Sequence, residues 1–166
     1  MQIDINRLSK EYAKKNILVI GDIILDAYIY GKVDRISQEA PVPIVAIDQK
    51  KFKPGGAANV ALNLSGLGAN VQLLGITGGG RNAEELQNCF QKSENIQLHL
   101  VKDKSRPTIV KTRIIADGKQ VVRLDEEITS EISSLLIEGL IKVFNESCKN
   151  IDGIIIEDYN KGSLPK

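Results

Sequence analysis

Four groups of residues in this sequence have types and spacings suited to holding a polar ligand. In Gly55-Gly56-Ala57-Ala58-Asn59-Val60-Ala61-Leu62-Asn63 a glycine pair precedes a run of small residues. Adjacent glycines can take positive φ and let another group approach the backbone. A helix opening there would aim unpaired N–H groups at the turn. Asn59 and Asn63 are four apart and so share one side of that helix. Ala57, Val60, Ala61, Leu64 and Leu67 form an opposing apolar stripe. The same pattern would equally suit a helix packed tightly on a sheet. A second group is Asp22 and Asp26, which follow the apolar run Ile17-Leu18-Val19-Ile20-Gly21. In open α/β sheets ligands lie beyond the carboxyl ends of strands, where Asp22 would sit; a turn-capping role fits that position too. The third group is the set of charges Lys111, Arg113, Arg123 and Asp125, and the fourth is Glu157-Asp158 after the apolar run 151–156.

Composition removes several other chemistries. The 22 basic and 21 acidic residues leave a net charge of +1, so no field for a polyanion is implied. There is no Trp and aromatics make up 4% of the chain, which leaves little for stacking bases. Neither nucleic acid nor membrane is an expected partner, because no apolar run approaches the roughly 18 to 20 residues of a membrane span. Cys89 and Cys148 are far apart and fit no metal-type spacing; two isolated cysteines without a signal peptide suggest a reducing, cytoplasmic setting. His99 is the single histidine and lies in the alternating segment Ile96, Leu98, Leu100. Triad, Cys-His and multi-His metal chemistry would all have to pass through it, and it reads as structural.

The elements that must position these groups follow from periodicity. The 166 residues make one domain with room for a real core. Residues 4–14 read as a leading helix capped by Asp4, with Ile5, Leu8 and Tyr12 apolar. Residues 17–21 read as a parallel strand covered on both faces. Residues 28–53 are not helical: Pro41 and Pro43 punctuate them, and 42–53 alternates as an edge or lid strand would. The Gly-Gly helix is closed by Gly66 and Gly68. The strand 71–76 completes a βαβ-like unit. Thr77-Gly78-Gly79-Gly80 matches no phosphate-binding glycine fingerprint and reads as a turn before the helix 82–91. A short strand at 96–101 follows, then a hairpin at 108–125. The helix 129–147 carries Ile132, Leu135, Leu136, Leu140, Val143 and Phe144 at helical spacing, and 151–156 reads as a second buried-type strand.

The hairpin has two registers. A two-residue Asp117-Gly118 turn pairs Ile114 with Val121 and puts Lys111 and Arg113 opposite in face to Arg123 and Asp125. A three-residue loop with Gly118 left-handed pairs Arg113 with Val121 and Lys111 with Arg123. That second register gathers four charges on one face, as a lid over a polar ligand would need. An ordinary amphipathic hairpin with its charges facing water remains the alternative.

Together, Gly21-Asp22 with Asp26, the run Arg35-Ile36-Ser37-Gln38-Glu39-Ala40-Pro41-Val42-Pro43, Gly55-Gly56-Ala57-Ala58-Asn59-Val60-Ala61 and Asp158-Tyr159-Asn160-Lys161-Gly162 resemble the ribokinase-like (PfkB) carbohydrate kinases. Within that family they look most like the D-glycero-D-manno-heptose 7-phosphate kinases that form the N-terminal half of bifunctional ADP-heptose synthesis enzymes. The resemblance covers about residues 16–162. It implies a fold of the α/β class: part of a ribokinase-like doubly wound sheet over 1–166, with a small β-sheet lid inserted as strands at about 42–53 and 108–125. It further implies that Asp22 and Asp26 accept hydrogen bonds from sugar hydroxyls, that Gly55 and Gly56 let the backbone approach the sugar, and that Asn59 bonds it. Lys111, Arg113 and Arg123 become lid candidates for the substrate's phosphate. Glu157 or Asp158 would sit near the transfer centre.

The family's catalytic aspartate belongs to a Gly-Ala-Gly-Asp motif that this sequence does not contain. The base, the anion hole and most of the ATP site are therefore expected outside it. ATP and Mg²⁺ would serve the complete enzyme, and this chain alone is expected to be inactive, with no catalytic or metal-ligating residue of its own. Expected partners are a sugar phosphate, the C-terminal half of the kinase and a second lid in a homodimer. The alternative is a non-catalytic sugar-phosphate-binding or dimerisation module. A dinucleotide-binding fold is disfavoured by the absent glycine fingerprint. Thr77-Gly78-Gly79-Gly80-Arg81 lacks the acidic residues expected there, and Glu157 stands where a small residue is commoner.

Overall fold

The computed structural model describes residues 4–164. Four parallel strands form the main sheet in the order β5-β4-β1-β8: β1 (Asn16–Gly21), β4 (Asn70–Thr77), β5 (Ile96–Lys102) and β8 (Gly153–Glu157). Strand β1 is central because its side chains are apolar on both faces. Val19 packs with Ala57, Ala58 and Ala61 of α2 (Ala57–Gly66) and Leu86 of α3 (Arg81–Asn88) on one side. Leu18 packs with Leu74 and with Leu140 of α4 (Ser134–Ser147) on the other. Helices on both faces of a parallel sheet make this a doubly wound α/β layer.

A second, mixed sheet in the order β3-β2-β6-β7 stands on the first: β2 (Ile23–Ile36), β3 (Pro43–Gly56), β6 (Ile109–Ala116) and β7 (Lys119–Glu126). Strand β2 pairs antiparallel with β3 and parallel with β6. The lid therefore contains a 14-residue strand, β2, beyond the two segments expected from sequence. Its alternation is broken at Gly31, where the register with β3 slips between Tyr30 and Gly31. This hides the period of 2.

The hairpin opens with the expected two-residue turn but then takes neither expected register. Asp117 (φ 51°) and Gly118 (φ 77°) form a two-residue turn with both central residues left-handed. A bulge between Ile114 and Ile115 then shifts the ladder, so Ile114 faces Val122, Arg113 faces Arg123 and Lys111 faces Asp125. A bulge places two residues of one strand against one of the other. The short turn is thereby compatible with all four charges on one face, and Ile114, Val122 and Leu124 occupy the other.

Three other expectations are corrected. Helix α4 begins at Ser134, not near 129, because Ser133 is its N-cap and its hydroxyl accepts from the Leu136 N–H. Residues 127–132 cross the body instead as an extended linker that buries Ile132, and Leu135 of the supposed apolar stripe is 77% exposed. Strand β8 is an edge strand rather than a buried one, and Ile154 and Ile156 on its α4 side stand 47% and 65% exposed. The leading helix α1 (Ile5–Tyr12) is capped by Asp4 as expected, yet Leu8 and Tyr12 are both exposed.

The entry to the lid is fixed by Asp103, which is buried. Its carboxylate accepts from the Ser105 N–H at 2.8 Å and hydroxyl at 2.6 Å, and from the Arg106 Nε at 2.8 Å. Arg106 also donates to the Ser130 carbonyl at 3.1 Å, joining this turn to the linker before α4. The Ser105 hydroxyl bond, with help from Arg106, holds the Asp103 carboxyl below the usual carboxylate range against the opposing effect of burial. Its ionised form thus stabilises the fold fully above the unfolded carboxylate pKa of about 3.9, and that contribution disappears as pH falls through the lower folded-state value. Asp103→Asn should cost about 3 to 5 kcal/mol at pH 7. Denaturant unfolding of wild type and variant at pH 7 and near pH 3 checks this: the difference between them should shrink in acid.

Candidate functional site

The corner between the two sheets is built around Asp22. Its main chain links three elements: the Asp22 N–H donates to the Glu157 carbonyl at 3.0 Å, and its carbonyl accepts from the Ala57 N–H at 3.0 Å. Gly56, with φ 55°, turns the chain from β3 into α2 at this point, and a Cβ there would strike the Asp22 carbonyl. A side chain is excluded on both grounds. The Asp22 carboxylate is wholly buried, and Oδ2 accepts from the main-chain N–H groups of Tyr159 at 2.7 Å and Lys161 at 3.2 Å. Asp22 thus holds the loop after β8 in place; its other oxygen, Oδ1, is buried without a partner.

Above this corner lies a cavity of about 390 Å³ between the lid and α2. Asn59 of α2 lines one wall, and Asp26, Gly55 and Gly56 of β2 and β3 line it together with Lys111, Arg113 and Arg123 of β6 and β7. Seven of the nine expected ligand-binding residues therefore converge on one space. The other two do not line it. Asp22 lies beneath, as the anchor described, and Asp158 is exposed and caps its own turn by accepting from the Asn160 N–H at 2.7 Å. Ile24 and Tyr159 complete the lining. Gly55 has a specific reason to be glycine, since a Cβ there would lie 2.5 Å from Asp26 Oδ2. The pair at 55–56 thus makes room for a carboxylate and a carbonyl of this chain as well as for anything in the cavity.

The charges form an ordered set. Arg113 meets Asp26 at 2.5 Å, and this hydrogen bond holds the guanidinium more firmly charged than usual. Arg113 also sits 5.4 Å from the centre of the Tyr28 ring, whose face attracts cations. Asp125 accepts from Arg123 at 2.8 Å and from Lys111 at 3.2 Å. Desolvation raises its pKa, but these two bonds prevail and keep it below the usual range. Lys111 also lies 3.9 Å from Glu127, which pairs with Lys161 at 2.7 Å. Glu127 was not singled out from sequence, and Lys161 figured there only within the Asp158-Tyr159-Asn160-Lys161-Gly162 motif, without a role of its own. Glu127 lies in the linker after β7, and only the fold brings it to a loop 34 residues further on. His99 faces Gln72 across β5 and β4 at 3.0 Å, away from the cavity. Among the described residues no group of three or more His, Cys, Asp or Glu is arranged to hold a metal ion, and no helix is long and apolar enough to cross a membrane.

The cavity can offer the Asp26 carboxylate and the Asn59 amide to hydroxyl groups, and guanidinium and ammonium donors to an anion. If Asp22 acts as the anchor of the 159–161 loop, Asp22→Asn should destabilise the chain by about 1 to 3 kcal/mol. Amide hydrogen exchange should accelerate at Tyr159 and Lys161, and unchanged protection there would contradict the anchoring role.

Comparison with known proteins agrees with this geometry. Residues 14–163 match the model of the pfkB family carbohydrate kinases. A bifunctional protein HldE of Coxiella burnetii is 42% identical over 154 residues, which is 92% of this chain and 32% of that protein. Its counterpart from Helicobacter pylori strain P12 is 44% identical over 151 residues, 90% of this chain and 32% of that one. The chain therefore spans about a third of the length of these relatives. The structure of Arabidopsis thaliana ribokinase, solved with ribose and ATP, superposes with a TM-score of 0.59 over 86% of this chain and 45% of its own, at 13% identity, a likeness of fold. By the family match over most of its length, the chain belongs to the pfkB family of carbohydrate kinases.

Proposed function

We propose that this chain is the sugar-phosphate-binding half of an ATP-dependent D-glycero-D-manno-heptose 7-phosphate kinase, acting in the synthesis of ADP-heptose for the lipopolysaccharide core. The observation that carries the reading is one cavity lined both by acceptors for hydroxyl groups, Asp26 and Asn59, and by the cations Lys111, Arg113 and Arg123. A sugar already bearing a phosphate combines those two chemistries. The identity of 42% to 44% with HldE proteins supports the heptose subgroup.

In this reading Asp26 and Asn59 orient the sugar so that its anomeric hydroxyl faces the carboxyl end of the main sheet. Lys111, Arg113 and Arg123 hold the existing phosphate away from the reacting centre. ATP with Mg²⁺ supplies the transferred phosphoryl group, held by residues beyond those described here. Those residues would also supply the base that takes the hydroxyl proton.

Two surfaces support further partners. The bare edge of β8, with Ile154 and Ile156 exposed, fits a further strand and covering helix from the remainder of the kinase domain. On the lid, Ile47, Val122 and Leu124 are 54%, 41% and 52% exposed and suit a second lid in a homodimer.

Calorimetric titration of the chain with D-glycero-D-manno-heptose 7-phosphate and separately with Mg-ATP tests the reading. The sugar phosphate should bind without ATP, and Asn59→Ala and Arg123→Gln should each weaken it by about 10- to 100-fold, the range expected for losing a charge-assisted or buried hydrogen bond. Absence of binding, or binding indifferent to both substitutions, would overturn it. Kinase activity should appear only when the segment that follows the matched region in the relatives is added.

A further inference from the structure

The cations that line the cavity, and Lys161 of the loop after β8, are each paired with a carboxylate. Arg113 is bound to Asp26, Arg123 and Lys111 to Asp125, and Lys161 to Glu127. Side chains of the Arg113–Asp26 pair are only 24% and 20% exposed, and those of Lys111 and Asp125 17% and 25%. At such depth a separated charge loses much of its hydration, so an anion that captures Arg113 strands Asp26 unless something else satisfies that carboxylate. Inorganic phosphate at neutral pH has few O–H donors to offer. A neutral polyol has donors but no charge with which to detach a guanidinium.

We propose that the ion pairs Arg113–Asp26 and Lys111–Asp125 form a gate that opens only to a ligand bringing a phosphate and several hydroxyls together. The phosphate takes the guanidinium and ammonium donors, and the hydroxyls take the carboxylates left behind. No covalent step is involved; the exchange swaps one set of hydrogen bonds for another. A second acceptor makes the exchange available to Lys111. Glu127 Oε2 is buried, lacks a hydrogen-bond partner and lies 3.9 Å from Lys111 Nζ. Lys111 can therefore swing toward Glu127 and release Asp125 without losing a carboxylate partner. Glu127 is itself fixed by Lys161, whose main-chain N–H is held by Asp22. The gate is thus tied to the anchored loop of the body. Specificity of this kind comes from what the wrong ligand leaves unpaired.

The inference deepens the sugar-phosphate reading and rests on it for the identity of the ligand, but it is tested separately. The probes are inorganic phosphate, D-glycero-D-manno-heptose and its 7-phosphate, titrated calorimetrically into the wild-type chain and the near-isosteric variants Asp26→Asn and Asp125→Asn. Thermal unfolding confirms that each variant is folded, and the two lie on different strands, so loss of one leaves the other. Each variant should bind inorganic phosphate at least tenfold more tightly than wild type, because a cation has been released. Arg113→Gln added to Asp26→Asn should abolish the gain. The advantage of heptose 7-phosphate over phosphate should fall at least tenfold in Asp26→Asn. Unchanged or weaker phosphate binding in a folded variant overturns the gate. A phosphate gain without any preference of wild type for heptose 7-phosphate upholds the gate and sinks the substrate reading. Tight heptose 7-phosphate binding without the gain does the reverse.

Discussion

The arrangement of this molecule depends on the corner at Asp22. One residue closes the end of β1, receives the first N–H of α2 and holds the loop after β8 through its carboxylate. Three segments separated by more than 30 residues each are thereby fixed to a single buried group. The lid can rise from the body at a defined place because β2 begins immediately after this corner and β3 returns to it at Gly56. A buried carboxylate is costly unless hydrogen-bonded, so its two main-chain donors are what make the position tenable.

From that corner the chemistry follows by alternation. β2 sends Asp26 and Tyr28 to the cavity face while Leu25 and Ala27 join the core. β6 sends Lys111 and Arg113 to the same face and Val110 to the core. The parallel register sets Asp26 beside Lys111 and Tyr28 beside Arg113. The bulge in the hairpin adds Arg123 and Asp125 to that face. A strand has a period of two, so a single extra residue decides whether its charges point in or out.

The resulting site is nearly neutral within itself although rich in charge. Cations and carboxylates alternate from Arg123 through Asp125, Lys111 and Glu127 to Lys161. Such a chain keeps each long side chain in one orientation before a ligand arrives, which lowers the entropy lost on binding. It also joins the lid to the loop anchored by Asp22, so the two halves of the cavity are held in one frame.

Local pattern was enough to identify the parallel strands β1, β4 and β5, the glycine-led helix and the charged hairpin, because their apolar runs, turn residues and periods are properties of neighbouring residues. Motif spacing likewise pointed to Asp26, Gly55, Gly56 and Asn59 as residues of one site, and these do line one cavity. Other features were settled only by contacts between distant segments. Asp22 and Asp26 look alike in the sequence, yet one is enclosed beneath the loop after β8 and the other opens on the cavity, since Asp22 lies in the corner before β2 and Asp26 within that strand. The hairpin register rested on a bulge between Ile114 and Ile115, which no local rule records. Ile154 and Ile156 read as core by composition, but the core ends where α4 ends its cover of the sheet. Glu127 and Lys161 acquire their meaning only as partners 34 residues apart. Sequence alone thus determined most of the strands and helices and the charged turn, though not β2, through short-range sterics and periodicity. Tertiary structure decided which charges meet, because an ion pair depends on distance in space and not on separation along the chain.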